Sequence, residues 1–141
     1  MGQKLDLSEC QSCVCFAVRR AARAITQYYD RYLRPSGLRT TQFTLLALLA
    51  QTGEVSLNKA ADRLGMERTT LTRNIRPLLL KSFITVSSGE DRRLRLIAIT
   101  EKGLSAVRRA LPYWRKAQRT VSGQVPSETM KTLAEVGRMN T

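Results

Sequence analysis

The chain has 141 residues, with 24 Lys and Arg against 11 Asp and Glu, a net charge of +13 and an isoelectric point near 10.7. That length supports one hydrophobic core rather than two, and the charge excess favours polyanionic partners. With no histidine, nucleophile elbow, phosphate loop or acidic pair in an apolar setting, enzyme chemistry is not expected, and no cofactor is implied. No apolar run approaches the roughly 20 residues that cross a bilayer. The start, Met1 to Asp6, lacks a myristoylation signal or signal-peptide core, so a cytoplasmic protein without a membrane partner is expected.

Residues 9–34 read as a long first helix, because Val14, Val18, Ala21, Ile25, Tyr28 and Tyr32 recur at alternating four- and three-residue steps. Pro35-Ser36-Gly37 ends it. Thr40 or Thr41 is expected to cap a second helix, whose Phe43, Leu45, Leu46, Leu48 and Leu49 mark it as core, ending at Thr52-Gly53. Ser56 caps a third, with Leu57, Ala60, Ala61 and Leu64 inward. Gly65 then supplies a turn that a side chain would hinder. A fourth helix follows with Leu71, Ile75 and Leu78 on one stripe and Arg68, Thr69, Thr72, Arg73 and Arg76 on the other face. Pro77 lies behind those residues as a tolerated kink. The pair reads as a helix-turn-helix at about 56–81, its second helix suited to a DNA major groove.

The β-branched stretch Phe83 to Ser87, the turn Ser88-Gly89-Glu90-Asp91 and the alternating Arg93 to Ile99 form a basic hairpin, or wing, at about 83–99. Leu94, Leu96 and Ala98 are expected on one face, with Arg93 and Arg95 on the other. Asp91 is placed to brace one guanidinium while another reaches a minor groove. Thr100 caps a long helix marked by Leu104, Val107, Leu111, Trp114 and Val121, bending near Pro112. Pro126-Ser127-Glu128 opens a short last helix with Met130, Leu133 and Val136 on one side. The expected fold is mostly α with a small β-hairpin wing, a single domain over 1–141. Residues 40–100 form a winged helix-turn-helix, and the helices of 1–35 and 101–141, with their narrow apolar seams, form a homodimerisation lobe.

The ordered set Ala60-Ala61-Asp62-Arg63-Leu64-Gly65, Glu67 to Arg73, Asp91-Arg92-Arg93 and Ile99-Thr100-Glu101-Lys102-Gly103 resembles the MarR family over roughly residues 15–110. The resemblance implies a dimeric winged-helix transcription regulator. Many members are repressors released by a small ligand or by thiol oxidation. One departure stands at Leu79-Leu80-Lys81-Ser82-Phe83, where an acidic residue and a glycine often precede the first wing strand.

From Glu67 to Arg95, seven Lys and Arg against three acids leave +4. The expected contacts to double-stranded DNA are Arg68, Thr69, Thr70, Thr72, Arg73, Asn74, Arg76, Asp91, Arg92, Arg93 and Arg95. Thr69, Thr70, Thr72, Arg73 and Asn74 would read bases, and the remaining cations would neutralise phosphates. Charge alone also fits a non-specific architectural nucleic-acid-binding protein. Cys10, Cys13 and Cys15 lie within six residues of one another. With no histidine, a metal site from these thiols is the weaker reading, and a disulfide-exchange enzyme around Cys10-Gln11-Ser12-Cys13 is a third class. Cys15-Phe16-Ala17 with Arg23 and Tyr29 resembles the organic-hydroperoxide sensors of the same family, which implies a redox role for Cys15. Arg19 and Thr40 stand where those sensors place further tyrosines. Arg19, one turn from Cys15, favours a thiolate, whereas a small buried structural thiol is the plainer account. Tyr28, Tyr29, Tyr32 and Phe43 could line a pocket, although aromatics at helical spacing are more often core. The resemblance implies a small aromatic or phenolic ligand there, with Arg20 or Arg23 as counter-ion.

Overall fold

The computed structural model describes residues 2, 4–91 and 93–139. In chain order the elements are α1 (Val14–Leu33), α2 (Thr40–Thr52), β1 (Val55–Ser56), α3 (Leu57–Leu64), α4 (Arg68–Leu80), β2 (Ile84–Ser88), β3 (Arg95–Ile99), α5 (Glu101–Ser122) and α6 (Ser127–Val136). The fold is the expected winged helix-turn-helix, mostly helical with a small antiparallel sheet in strand order β1-β3-β2. The sheet has one strand more than the predicted hairpin. Val55 pairs with Ile97 and Ser56 with Leu96. A two-residue strand has no periodicity to recognise and forms only because β3 offers it a free edge.

Helix starts follow local hydrogen-bond chemistry. Ser56 Oγ accepts the Lys59 N–H at 3.1 Å, and Thr100 Oγ1 accepts the Gly103 N–H at 3.0 Å, as expected of N-caps. The first helix is shorter than predicted. Cys13 is extended and its Sγ accepts the Phe16 N–H at 3.5 Å, so α1 begins at Val14 and Ser8–Ser12 winds separately as a 3-10 turn. Neither Thr40 nor Thr41 caps α2. Both are already helical; Gln42 Oε1 reaches back to the Arg39 N–H at 3.0 Å and Asp30 Oδ1 takes the Thr40 N–H at 2.7 Å.

The core is built on Leu33, Leu46, Leu49, Leu71, Leu78 and Ile97, all fully buried. Helix α5 packs along α1 and α2. Its buried line is Gly103, Ala106, Ala110 and Ala117, while the larger Leu104, Val107, Leu111, Trp114 and Val121 are only half-buried beside it. Small residues let the helix axes approach, and the bulkier ones fill the margins; Phe43 stacks on Trp114 with ring centroids 5.8 Å apart. Val14, Val18 and Ile25 of α1 and Met130, Leu133 and Val136 of α6 remain exposed in the single chain.

The unusual segment before the wing forms a regular turn at a conformational cost. Phe83 N–H bonds Leu78 O at 2.9 Å and Ser82 N–H bonds Leu79 O at 3.0 Å. Closing it puts Ser82 at φ +59, the one non-glycine with positive φ among the described residues. Ser82→Gly should therefore stabilise the protein by about 0.5–1 kcal/mol, because the left-handed region strains a side chain. A melting temperature raised by a few degrees in thermal unfolding would bear this out; a decrease would show that the serine relieves the strain locally.

Candidate nucleic-acid interface

Helix α4 is oriented by its buried stripe. Leu71, Ile75 and Leu78 face the core, so Arg68, Thr69, Thr72, Arg73, Asn74 and Arg76 are exposed, with Thr70 half-buried. Gly65 makes the preceding turn at φ +64. Glu67 at the N-cap makes no side-chain capping bond, which leaves the first amides of α4 available to an anion. Thr72 Oγ1 donates to Arg68 O at 2.9 Å. Asn74 Nδ2 donates to Met66 Sδ at 3.9 Å and is drawn toward the helix turn.

The wing keeps the expected grouping, Leu96 and Ala98 on one face of β3 and Arg95 on the other, and it is the Arg95 face that is buried, at Ile97. Ile97 is fully buried, and its cross-strand partners Val55 and Val86 share that face. Leu96 and Ala98 lie on the other, half-buried face, and Leu94 belongs to the turn. Since side chains alternate with period two, Arg95 lies on the Ile97 face. It rims, with Arg68, Thr72 and Arg76, a cleft of about 340 Å³ floored by Leu57, Ile75, Leu79 and Val86. The alternation does not say which face is buried, because both faces of β3 carry apolar residues and only packing chooses between them.

Asp91 does brace the wing, but through the main chain. Its Oδ1 accepts the Arg93 N–H at 3.0 Å, its carbonyl accepts the Leu94 N–H at 2.8 Å, and Gly89 N–H closes on Leu94 O at 2.7 Å. Among the described residues it pairs with no guanidinium. Arg93 is exposed at this turn, and Arg92 lies outside the described residues. Asp91→Ala should accordingly weaken DNA binding with little loss of melting temperature, while Asp91→Asn, which keeps the accepting oxygen, should bind nearly as wild type. Equal weakening of both variants in a binding titration would show that the charge matters and not the acceptor.

Arg39, which the sequence reading passed over, borders a cleft with Thr41, Gln42, Arg73 and Asn74. It sits one residue before α2, on no periodic face, and only the packing of α2 on α4 brings it beside Arg73.

The residues of the predicted ligand set lie on α1 and α2. Phe43 is buried against Trp114; Tyr28 and Tyr32 stack at 5.1 Å with hydroxyls 3.3 Å apart; Arg20 and Arg23 are exposed, and Arg20 lines a cleft with Val14, Val18 and Ala21 of the α1 seam. Tyr29 is buried, its hydroxyl donates to Gln118 Oε1, and burial pushes its phenol pKa up. Cys10, Cys13 and Cys15 are all free thiols, exposed in the single chain. Among the described residues no cluster of His, Cys, Asp or Glu is placed to hold a metal, and no helix is long and apolar enough to cross a membrane.

The MarR family model matches residues 38–94. Over nearly the whole chain, the M. tuberculosis transcriptional regulator MosR, solved in complex with DNA, is 40% identical, covering 90% of this chain and 95% of that one at a TM-score of 0.84. The chain belongs to the MarR family. Among curated MarR-like relatives, the regulator MhqR of Bacillus subtilis is 30% identical over 94 residues, 66% of this chain and 65% of its own length. The organic hydroperoxide resistance transcriptional regulator of the same organism is 28% identical over 104 residues, 73% and 71% of the two lengths. The chain thus spans about two thirds of the curated relatives it matches. MarR proteins are DNA-binding regulators rather than enzymes. The MarR match takes in the whole of α4 and the Asp91 turn, and it leaves Cys15 and Arg95 outside.

Proposed function

We propose that this protein is a sequence-specific transcription regulator that binds double-stranded DNA as a homodimer on a pseudo-palindromic operator and acts as a repressor. One observation carries the reading: Arg68, Thr72 and Arg76 of α4 and Arg95 of the wing rim one cleft, and the exposed guanidinium groups of α4 and the wing have no acidic partner among the described residues. Residues 40–100 supply that surface, with base reading assigned to Thr69, Thr70, Thr72 and Arg73 and phosphate contacts to Arg68, Arg76, Arg93 and Arg95. Arg92 is included for its place in the Asp91-Arg92-Arg93 motif, and Asn74 for its place beside Arg73. The helices of 1–35 and 101–141 supply the dimer, since the apolar seams of α1 and α6 are uncovered in one chain. Release by a small aromatic or phenolic ligand follows the family pattern.

Selection of bound DNA from a random pool, with light scattering on the complex, tests this reading. An inverted repeat with half-sites one helical turn apart and a dimeric mass are expected. Unselected binding by a monomer would replace it with non-specific architectural packing. A second reading is favoured by the exposed Cys15 on the first turn of α1 and by the similarity to the organic hydroperoxide regulator. Organic hydroperoxide should then release operator DNA from wild type but not from Cys15→Ser, with reductant restoring binding. Equal retention by both proteins leaves a small molecule as the inducer.

A further inference from the structure

Residues 67–95 hold only +4 of the net +13, so most of the charge excess lies elsewhere. From Lys102 to Ser127 the chain contains no acidic residue at all. Within that stretch Lys102, Arg108, Arg109, Arg115, Lys116 and Arg119 project from α5, and all are exposed. At 3.6 residues per turn they fall within one arc of roughly 140°, opposite the buried line of Gly103, Ala106, Ala110 and Ala117. A merely solvated helix face interleaves signs so that neighbours one turn apart pair. Here the guanidinium groups of Arg108, Arg109, Arg115 and Arg119 make no hydrogen bond, ion pair or ring contact among the described residues, and their mutual repulsion is unrelieved. Lys102, Arg109 and Lys116 recur every seven residues, about 10.5 Å apart along the axis, with Arg108 and Arg115 as a parallel row. Two rows of cations suit a line of phosphates better than one small anion.

We propose that this face of α5 binds the phosphate backbone of a second DNA duplex, so that the protein holds one duplex on α4 and the wing and another on α5. A lipid surface fits less well, because beside its cations the arc presents only Glu101, Ser105, Pro112 and Thr120 and no large apolar side chain to insert. The flank of the first duplex fits less well too. Strand β3 runs from the wing turn to Thr100, so α5 starts at the end of the sheet remote from that turn. From there the cations extend over about 26 Å of helix, too short a path for stiff DNA to bend and follow at low cost. A second copy of this chain would meet like charge with like across a two-fold axis, which leaves the apolar seams of α1 and α6 as its place.

The test retains protein on an immobilised duplex and offers a fluorescent duplex of unrelated sequence. Wild type should capture it, and Arg108→Gln/Arg109→Gln/Arg115→Gln should reduce capture roughly tenfold, with the salt dependence of capture falling by a slope of about 2 to 3. Retention on the first duplex and the helical circular dichroism should stay unchanged. In parallel, Arg68→Ala/Arg73→Ala/Arg76→Ala should keep a weak duplex affinity that the α5 substitutions then remove. Undiminished capture by the α5 variant would assign bridging to a free α4 and wing and overturn the proposal. No capture by wild type, or binding of anionic vesicles or RNA in place of the duplex, would overturn it equally.

Discussion

Gly103→Ala is expected to destabilise the protein by about 3 kcal/mol, at the upper end of what overpacking costs. A Cβ built there would sit 2.2 Å from the Phe83 carbonyl oxygen and 2.8 Å from Ile99 Cγ1. Neither atom is the loose end of a flexible side chain. Phe83 O accepts the Thr100 N–H at 3.0 Å, and Thr100 Oγ1 donates to Ser82 O at 2.6 Å while capping α5. Relieving the clash therefore pulls apart the junction where the end of α4, the start of β2 and the start of α5 meet. Helix propensity acts in the opposite direction, since alanine in a helix is better than glycine by about 1 kcal/mol. The sign of the melting-temperature change tells which effect wins. A drop on the order of 10 °C is expected; an unchanged or higher value would mean that the junction moves without cost.

Arg73→Ala should weaken binding to a selected operator by about 1–3 kcal/mol, roughly 5- to 150-fold, and weaken binding to random DNA much less. Arg73 leaves α4 on the exposed side, away from Leu71 and Ile75, and no acid competes for its guanidinium among the described residues. Arg73→Lys keeps the charge and loses the planar fork, so it should recover random-DNA binding but little of the discrimination. Its neighbour Arg39 supplies the control, because Arg39→Ala should lower affinity for both DNAs alike if it touches phosphate only. Competition titrations at fixed salt separate these outcomes. Equal loss on both DNAs for Arg73→Ala would make it a phosphate contact and move base reading to the threonines.

What the sequence determined by itself is set by local chemistry. The spacing of Leu71, Ile75 and Leu78 places the basic face of α4 outward in any packing that buries the stripe. Ser56 and Thr100 cap because their hydroxyls reach amides three residues away. The redox and DNA-contact assignments were likewise readable only as residue types in order. Tertiary structure decided much of the rest, where the deciding partner is distant in sequence. The first amides of α2 are met by Asp30 and Gln42 rather than by its threonines. Strand β1 exists only as an edge beside Ile97, and that pairing fixed which side of β3 is buried, carrying Arg95 toward α4. At Asp91 the choice was local, since its carboxylate takes the Arg93 N–H two residues on. Arg39 joined the surface only when α2 packed on α4, and Phe43 found its stacking partner in Trp114 of α5. Periodicity shows which face of one element is apolar, but not what that face will meet; where both faces are apolar, as on β3, the neighbours choose.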